Sequence, residues 1–437
     1  MSILFKNAKI ITTEKGSMKV LENAYLGVDG KFIDYIGTQK PKKSYTEEID
    51  MYDKILMPGI VNGHAHSAMN LLKGLGSDLP LQEWLENAVW PIEGKMRDQD
   101  FVSGMNMVIL EMLASGTTSF SDMYFRPMIT QKCIEESGIK ADITRVLMGI
   151  GDNIDYATFP DRFESIEFHK NFDGAFDDRL HVDWCIHAEY TISEKIAAQW
   201  ADEIQKLGGR FHTHVSETKR EHVGCLERHG KTPAKWLSDL GFFNLPSYAA
   251  HCVWCTDDDL RILKEKGVTI VHNPTSNMKL GSGFAPIQKA LDMGINVSLG
   301  TDGSSSNNNV NMFEEMHLAS IIHNGYTCDP TIMKPETIIR MATLAGALEQ
   351  GRKDTGTLEV GKKADIIAIN TDAPHMVPDY DTLALVVYSA QASDVCMTMV
   401  DGKILYKNGE YLTMDRDKVF HDYMSSHKYL SSFAKGK

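Results

Sequence analysis

Two histidines separated by one residue, His64 and His66, are the first residues whose types and spacing indicate chemistry. They follow the apolar segment Lys54 to Val61, which is rich in β-formers and ends at a turn-prone Asn62-Gly63 pair. Side chains two residues apart on an extended chain point the same way, so both imidazoles can reach one ion, and imidazole suits zinc. With 16 histidines in the chain, one such pair can also occur by chance on the surface, so the interpretation depends on ligands from other strands.

The elements that must position these residues follow a regular pattern. Between residues 54 and 308, short apolar strands alternate with longer amphipathic helices, which is typical of βα units around a parallel sheet. Eight such units fit a closed (β/α)₈ barrel, and no Gly-x-Gly-x-x-Gly turn follows the first strand to favour an open doubly wound sheet. The predicted strands are Lys54 to Val61, Thr117 to Met123, Ala141 to Met148, His181 to His187, Arg210 to Val215, Tyr248 to Val253, Val268 to Val271 and Asn296 to Leu299.

The two ends of the chain have a different character. Residues 1 to 53 and 361 to 406 contain short β-like runs separated by turn signals such as Asp29-Gly30 and Asp401-Gly402. We therefore predict an α/β protein with a (β/α)₈ TIM barrel over residues 57–361. Residues 1–56 and 362–437 are predicted to form one composite β-sandwich domain.

The carboxyl ends of barrel strands converge on one mouth, where such proteins place their active sites. The ends of the predicted strands carry several histidines and a carboxylate, and the most economical metal-ligand set is His64, His66, His214 and Asp302. A divalent ion there would lower the pKa of a bound water towards neutrality. A site for two ions usually needs a carbamylated lysine at the end of the fourth strand to bridge them. Residues 180 to 190 contain no lysine, which favours one ion per chain.

Other polar residues near the strand ends suit proton transfer. Glu217 lies three residues after His214 and is free to shuttle a proton, and His251 could orient or deprotonate the water. His212 and His272 are interpreted as core histidines bonded to backbone.

Composition limits the partners. The net charge is −14 and no basic stripe occurs, which argues against nucleic acid and anionic membranes. We found no signal peptide and no apolar run approaching ~20 residues, and the seven scattered cysteines indicate free thiols, so a cytoplasmic location is predicted. A closed homo-oligomer is the default expectation.

Six segments carry recognisable motifs: Pro58 to His66 (PGIVNGHAH), Met69 to Asp78 (MNLLKGLGSD), His212 to Glu217 (HTHVSE), Ala250 to Cys252, His272 to Gly281 and Leu299 to Gly303. Together these motifs resemble the amidohydrolase superfamily, in particular its zinc-dependent aminohydrolases of nitrogen heterocycles, a branch that includes chlorohydrolases. Within this branch, the sequence most resembles the 5-methylthioadenosine/S-adenosylhomocysteine deaminases.

The resemblance implies roles for individual residues. Glu217 would protonate a purine ring nitrogen, His251 and Asp302 would handle the attacking water, and His187 would bond another ring nitrogen. Glu93 would accept hydrogen bonds from the ribose hydroxyls, and Trp84 would pack on the thioether part of the substrate. Arg145 and Arg162 fall where this family binds the amino-acid carboxylate. Glu189 replaces the usual proline after His187-Ala188, and could repel an anionic tail or pair with one of these arginines.

The predicted activity is metal-dependent hydrolytic deamination of an adenosine-type nucleoside, namely 5-methylthioadenosine, S-adenosylhomocysteine or adenosine. Zn²⁺ is the expected cofactor. An alternative keeps the site and changes the ring to a guanine-like base, oxidised purine, pterin, triazine or aminodeoxyfutalosine. A third possibility is a barrel that serves as a scaffold without catalysis, although all the expected site residues are present.

Overall fold

The computed structural model describes residues 2–14, 16–151 and 153–434. The strands fall into two sheets, each dominated by buried apolar residues. They are β1 (Ser2–Glu14), β2 (Ser17–Asp29), β3 (Phe32–Gly37), β4 (Glu47–Asp50), β5 (Lys54–Pro58), β6 (Ile60–Ala65), β7 (Thr117–Tyr124), β8 (Lys140–Arg145), β9 (Leu180–Cys185), β10 (Phe211–Val215), β11 (Ser247–His251), β12 (Thr269–His272), β13 (Val297–Leu299), β14 (Ile366–Asn370), β15 (Val395–Val400), β16 (Lys403–Lys407) and β17 (Glu410–Tyr411).

The central sheet is a parallel barrel of eight strands in chain order, from β6 to β13. The first and last strands meet through the Asn62 side chain, whose Oδ1 accepts a hydrogen bond from the Thr301 N–H at 3.0 Å. The Asp302 N–H also donates to the His64 carbonyl oxygen at 2.9 Å. The predicted (β/α)₈ barrel is therefore confirmed.

Both ends of the chain contribute to a second, nine-stranded mixed sheet. Its order is β17-β16-β15-β14-β5-β1-β2-β3, and β4 pairs with β1. β5 lies between β1 and β14, so the N-terminal and C-terminal strands are joined at this strand. The predicted origin of the small β unit from both termini is confirmed, whereas the domain boundaries at residues 56/57 and 361/362 stay a prediction.

The predicted first strand, Lys54 to Val61, is wrong in its extent because it belongs to two sheets. β5 ends at Pro58 in the mixed sheet, and β6 begins at Ile60 in the barrel. Gly59 permits this crossing, because a Cβ there would lie 2.2 Å from Thr118 Oγ1. The continuous apolar run hides the break, since both strands are fully or nearly fully buried.

The helices surround the barrel, and several begin and end with recognisable caps. Thr218, Thr232 and Thr256 accept N-cap hydrogen bonds, and glycines with positive φ end the helices that follow. The helices are α1 (Leu81–Trp84), α2 (Trp90–Glu93), α3 (Asp98–Ala114), α4 (Pro127–Ser137), α5 (Pro160–Phe172), α6 (Ala175–Asp178), α7 (Glu194–Leu207), α8 (Lys219–His229), α9 (Pro233–Leu240), α10 (Asp257–Lys266), α11 (Pro274–Lys279), α12 (Ile287–Asp292), α13 (Met312–Thr327), α14 (Pro335–Arg340), α15 (Gly346–Glu349), α16 (Thr382–Tyr388) and α17 (Arg416–Ala434).

A buried ion-pair cluster joins the barrel to the mixed sheet. Lys140 begins β8 and is fully buried, and its Nζ lies 2.6 Å from carboxylate oxygens of both Asp365 and Asp401. Asp365 immediately precedes β14, and Asp401 lies in the turn between β15 and β16.

Within the parts of the chain that the structure describes, no helix has the length and apolarity needed to cross a membrane.

Candidate metal centre and active site

The four residues predicted as metal ligands meet at the carboxyl-terminal mouth of the barrel. His64 lies in β6 and His66 just after it, His214 lies in β10, and Asp302 follows β13. His214 Nε2 is 3.2 Å from His64 Nε2 and 3.3 Å from His66 Nε2. Asp302 Oδ1 is 3.5 Å from His64 Nε2 and 3.2 Å from His66 Nε2. Four ligands bound at the usual Zn–N and Zn–O lengths in a tetrahedron would lie about 3.3 Å apart.

The tautomers of these histidines fit a cation. His66 Nδ1 lies 2.5 Å from the Met123 carbonyl oxygen, and His214 Nδ1 lies 2.6 Å from the His187 carbonyl oxygen. Because a carbonyl only accepts, each Nδ1 carries the proton, and a neutral ring presents its Nε2 lone pair to the centre. Facing lone pairs beside the Asp302 carboxylate repel one another unless a positive charge lies between them. The donor set therefore fits a metal ion.

The protonation equilibria point the same way. Burial lowers the pKa of His64 to about 4, and burial together with the neighbouring imidazoles holds the pKa of His214 well below its usual value. Burial opposes protonation of His66 too, but the hydrogen bond and charge of Asp302 raise its pKa to about 9. Burial would raise the pKa of Asp302, yet contacts with His64 and His66 hold it well below its usual range. A positive charge beside Asp302 is therefore favourable. Without an ion, a proton on His66 supplies this charge, and a bound metal ion would supply it instead of that proton.

Polar side chains hold these groups in position. Asp302 Oδ2 accepts hydrogen bonds from the Ser276 and Ser306 hydroxyls at 2.6 and 2.9 Å. His64 Nδ1 lies 2.9 Å from His212 Nε2, so His212 supports a ligand and is not the backbone-bonded core histidine that was predicted. The other histidine assigned to the core, His272, pairs with His323 at 3.0 Å between their Nε2 atoms.

Glu217 and His251 lie beside the cluster. Glu217 Oε2 is 3.9 Å from His251 Nε2, and His251 Nδ1 is 2.8 Å from Asn277 Oδ1. The His251 Nδ1–H donates to this amide oxygen, which leaves Nε2 as the proton acceptor. Burial raises the pKa of Glu217, which favours the protonated carboxyl.

A cavity of about 630 Å³, including its mouth, opens above these groups. Its lining includes His66, His187, His214, Glu217, His251 and Asp302 at the inner end. Apolar and aromatic side chains from the segment Leu81–Glu93 and from the ends of β7 and β8 form much of the remainder. No Lys or Arg is among the described residues that line it.

Besides Glu217, three of the residues predicted to bind substrate line this cavity. Trp84 is buried, and its indole N–H donates to the Leu75 carbonyl oxygen at 2.9 Å. Glu93 accepts a hydrogen bond from the Tyr124 hydroxyl at 2.5 Å, and burial raises its pKa. Burial lowers the pKa of His187 to about 3, so this ring is neutral, and its Nδ1 has no hydrogen-bond partner among the described residues.

The two predicted arginines lie outside the lining. Arg145 is bound by Asp161 at 2.7 Å and Glu164 at 2.5 Å, and Arg162 pairs with Glu203 at 2.5 Å. Their contact with substrate stays a prediction.

The suggested pairing of Glu189 with one of these arginines is wrong. Its buried carboxylate binds Arg228 at 2.6 Å and His229 at 2.8 Å instead.

Sequence reasoning missed the carboxylate that holds Glu217. Glu221 accepts hydrogen bonds from the Ser216 N–H at 2.8 Å and the Glu217 N–H at 2.7 Å. Burial, with the charge of Glu217, raises the pKa of Glu221 to about 7. Its position three residues after Thr218, in a capping pattern, was the available signal.

A closed βα barrel with a histidine and carboxylate cluster of metal-binding geometry at its mouth defines a class of barrel hydrolases. Comparison with known sequences refines this class. The sequence profile of the amidohydrolase family matches residues 55–405. The chain therefore belongs to the amidohydrolase family.

Individual relatives are similar over nearly the full length. The chain is 40% identical over 423 residues to a 5-methylthioadenosine/S-adenosylhomocysteine deaminase from Acetivibrio thermocellus, covering 96% of this chain and 97% of the relative. It is 40% identical over 425 residues to a 5'-deoxyadenosine deaminase from Methanosarcina mazei, covering 96% of each. Among solved structures, an adenosine deaminase from Xanthomonas campestris with bound zinc superimposes with a TM-score of 0.91 at 28% identity, covering 98% of both chains.

Proposed function

We propose that this protein is a hydrolytic deaminase of adenosine-type nucleosides, which converts 5-methylthioadenosine, S-adenosylhomocysteine, 5'-deoxyadenosine or adenosine to the inosine analogue and ammonia. The names of the relatives support this substrate class. The observation that carries the proposal is that Glu217, His251 and the cluster around Asp302 face one cavity.

We assign one divalent ion to His64, His66, His214 and Asp302, and Zn²⁺ is the ion that suits these ligands best. The spacing of the four donor atoms and the absence of lysine from residues 180–190 support a single ion, and the zinc in the related adenosine deaminase supports its identity. When bound, the ion makes water nucleophilic at neutral pH by lowering its pKa.

The proton transfers fall to residues of the chain. Glu217, whose pKa is raised by burial, donates a proton to a ring nitrogen and so makes the amidine carbon electrophilic. His251 accepts a proton from the attacking water through Nε2, because Asn277 binds its Nδ1–H. Asp302 orients the water with His251. The exocyclic amino group takes up the proton that His251 removed from the water, and it leaves as ammonia.

The substrate contacts follow from the lining of the cavity. His187, which is neutral, bonds a second ring nitrogen. Glu93 accepts hydrogen bonds from the ribose hydroxyls, since a carboxylate suits a cis-diol. Trp84 packs against the 5' substituent. Arg145 and Arg162 remain the predicted contacts for an amino-acid carboxylate on that substituent.

A second candidate is deamination of a free base. A guanine deaminase from C. acetobutylicum with bound guanine superimposes with a TM-score of 0.83 at 25% identity, covering 92% of this chain and all of that one. The same inner groups could serve such a ring, whereas Glu93 would then have no ribose to bind.

The test combines metal analysis with ammonia release. The purified protein should contain about one divalent transition metal per chain and release ammonia from 5-methylthioadenosine, 5'-deoxyadenosine or adenosine. Removal of the metal by a chelator should abolish turnover, and zinc should restore it. Turnover of guanine or a triazine without turnover of any nucleoside would support the second candidate. A folded protein that is inactive on every compound after zinc is added would support a scaffold.

A further inference from the structure

Glu315 is a buried carboxylate outside the groups assigned to proton transfer and metal binding. It lies in the first turn of α13 and is not among the residues that line the cavity. Its Oε2 accepts a hydrogen bond from the Thr275 N–H at 3.1 Å, and its Oε1 accepts one from the Asn307 amide Nδ2 at 2.6 Å. Burial raises the pKa of Glu315 to about 8. A buried carboxylate retains its hydrogen-bond donors firmly, because leaving it unpaired is costly.

The first segment that Glu315 holds is the loop after β13. The Asn307 amide Nδ2 donates both to Glu315 and to the Thr301 carbonyl oxygen, the latter at 2.8 Å. The preceding residue, Ser306, donates its hydroxyl to Asp302 Oδ2 at 2.9 Å. Glu315 therefore fixes the loop that supplies one of the two hydroxyl donors to Asp302.

The second segment is the first turn of α11, where Thr275 donates its N–H to the same carboxylate. The next two residues contact the active site. The Ser276 hydroxyl donates to Asp302 Oδ2 at 2.6 Å, and Asn277 Oδ1 accepts the hydrogen bond from His251 Nδ1 at 2.8 Å. The second hydroxyl donor to Asp302 and the residue that orients His251 thus depend on this turn.

The two segments meet at one oxygen of Asp302. Both hydroxyls bind Oδ2, whereas Oδ1 lies 3.5 Å from His64 Nε2 and 3.2 Å from His66 Nε2. A carboxylate that is held through one oxygen presents the other in a single direction. Misplacement of a reacting group by about 1 Å can cost on the order of 100-fold in rate. The orientation of Asp302 therefore depends on how Ser276 and Ser306 are held.

We propose that Glu315 is a positioning residue, which fixes the two segments that bear Ser276 and Ser306. By this means Asp302 keeps Oδ2 bound to the two hydroxyls and presents Oδ1 to the metal ion. The inference rests on the proposed metal-dependent function and names a residue on which the centre of that function depends.

The variant Glu315→Gln tests this role. A glutamine amide accepts through one oxygen, and its NH₂ group meets the second N–H donor, so one of the two segments loses its acceptor. We expect kcat to fall about 10- to 100-fold while KM stays within about threefold. The cobalt-substituted protein gives a second readout, because the visible absorption of Co²⁺ depends on the geometry of its ligands. Its spectrum should change in Glu315→Gln without any substrate present.

Glu314→Gln is the matched control. Glu314 is the neighbouring residue on α13, is exposed, and accepts a hydrogen bond from the Asn309 amide at 2.7 Å. The same chemical change at this position should leave kcat and the cobalt spectrum at their wild-type values.

A combination of variants tests the route through the two serines. Ser276→Ala/Ser306→Ala removes both hydroxyl donors to Asp302, so adding Glu315→Gln should change the cobalt spectrum little further, because residues that act through one another are not additive. A further change as large as that of Glu315→Gln alone would overturn this route.

The remaining outcomes are also decisive. A Glu315→Gln protein that melts earlier but keeps the wild-type kcat and cobalt spectrum overturns the proposal. If this variant does not fold, Asn307→Ala removes one of the two donors to Glu315 and should change the cobalt spectrum, and an unchanged spectrum overturns the proposal in the same way. If no compound releases ammonia from the metal-loaded protein, the proposed function fails, while the spectra still decide the role of Glu315.

Discussion

At the scale of single residues, the site shifts the pKa values of two buried carboxyl groups in opposite directions. Asp302 receives hydrogen bonds from two hydroxyls and lies against two imidazoles, which holds its pKa well below the usual range. Glu217 is equally buried, and burial outweighs the nearby His251 imidazole, so its pKa is raised. Environments that separate the pKa values of two acids in one cavity indicate that the two have different proton-transfer roles.

Replacement of the proposed general acid tests this division. Glu217→Gln preserves shape but cannot release a proton, so turnover should fall by roughly two to four orders of magnitude while metal content stays at the wild-type level. Steady-state ammonia release and metal analysis measure the two effects. Full activity in this variant would show that the proton donor has been misassigned. His64→Ala should lose the metal instead.

Glu221 provides a second residue-level prediction, because it positions Glu217 without facing the cavity. Its carboxylate accepts two successive backbone N–H groups, which a glutamine amide can match with only one oxygen. Glu221→Gln should therefore lower kcat about 10- to 100-fold with little change in KM or metal content. A loss confined to thermal stability, with kcat unchanged, would reduce Glu221 to a structural role.

At the scale of elements, the junction between β5 and β6 decides where the first two predicted ligands lie. Gly59→Ala should destabilise the protein by about 1–3 kcal/mol, because the new methyl group meets Thr118. Gly325→Ala is the control, since a Cβ at this position in α13 meets nothing within 4 Å. That change should stabilise the helix by roughly 0.5–1 kcal/mol. Urea denaturation of both variants measures the difference, and equal stabilities would contradict the role of Gly59.

The sequence predicts elements better than it predicts their allocation to sheets. The βα alternation identifies the barrel and helices such as α3, α7 and α10, because strand and helix periodicities are local properties. The split of Lys54 to Val61 and the helix α17 were not predicted, since both depend on contacts with distant residues. Similarly, strand ends point to His64, His214 and Asp302, whereas the support of Glu217 by Glu221 depends on a loop in which Ser216 has φ of 49°.

At the scale of the whole molecule, Lys140 ties the barrel to the mixed sheet through two carboxylates. Lys140→Met leaves Asp365 and Asp401 buried without their cation and should cost about 3–5 kcal/mol of unfolding free energy. The triple variant that also carries Asp365→Asn and Asp401→Asn should recover part of this loss. Denaturant unfolding compares them. A single variant as stable as the wild type would show that the cluster contributes nothing to the junction.

The oligomeric state and the cytoplasmic location of the protein stay predictions.

The place of β5 between β1 and β14 also sets an order of events during synthesis. Strand β5 leaves the ribosome near residue 58, but its second neighbour emerges only after residue 366, when all the barrel strands have been made. His64 and His66 lie a few residues beyond β5. They are therefore made before Asp302, and before the mixed sheet around β5 is complete. The full set of four donors exists only after residue 302 of the 437 has been made.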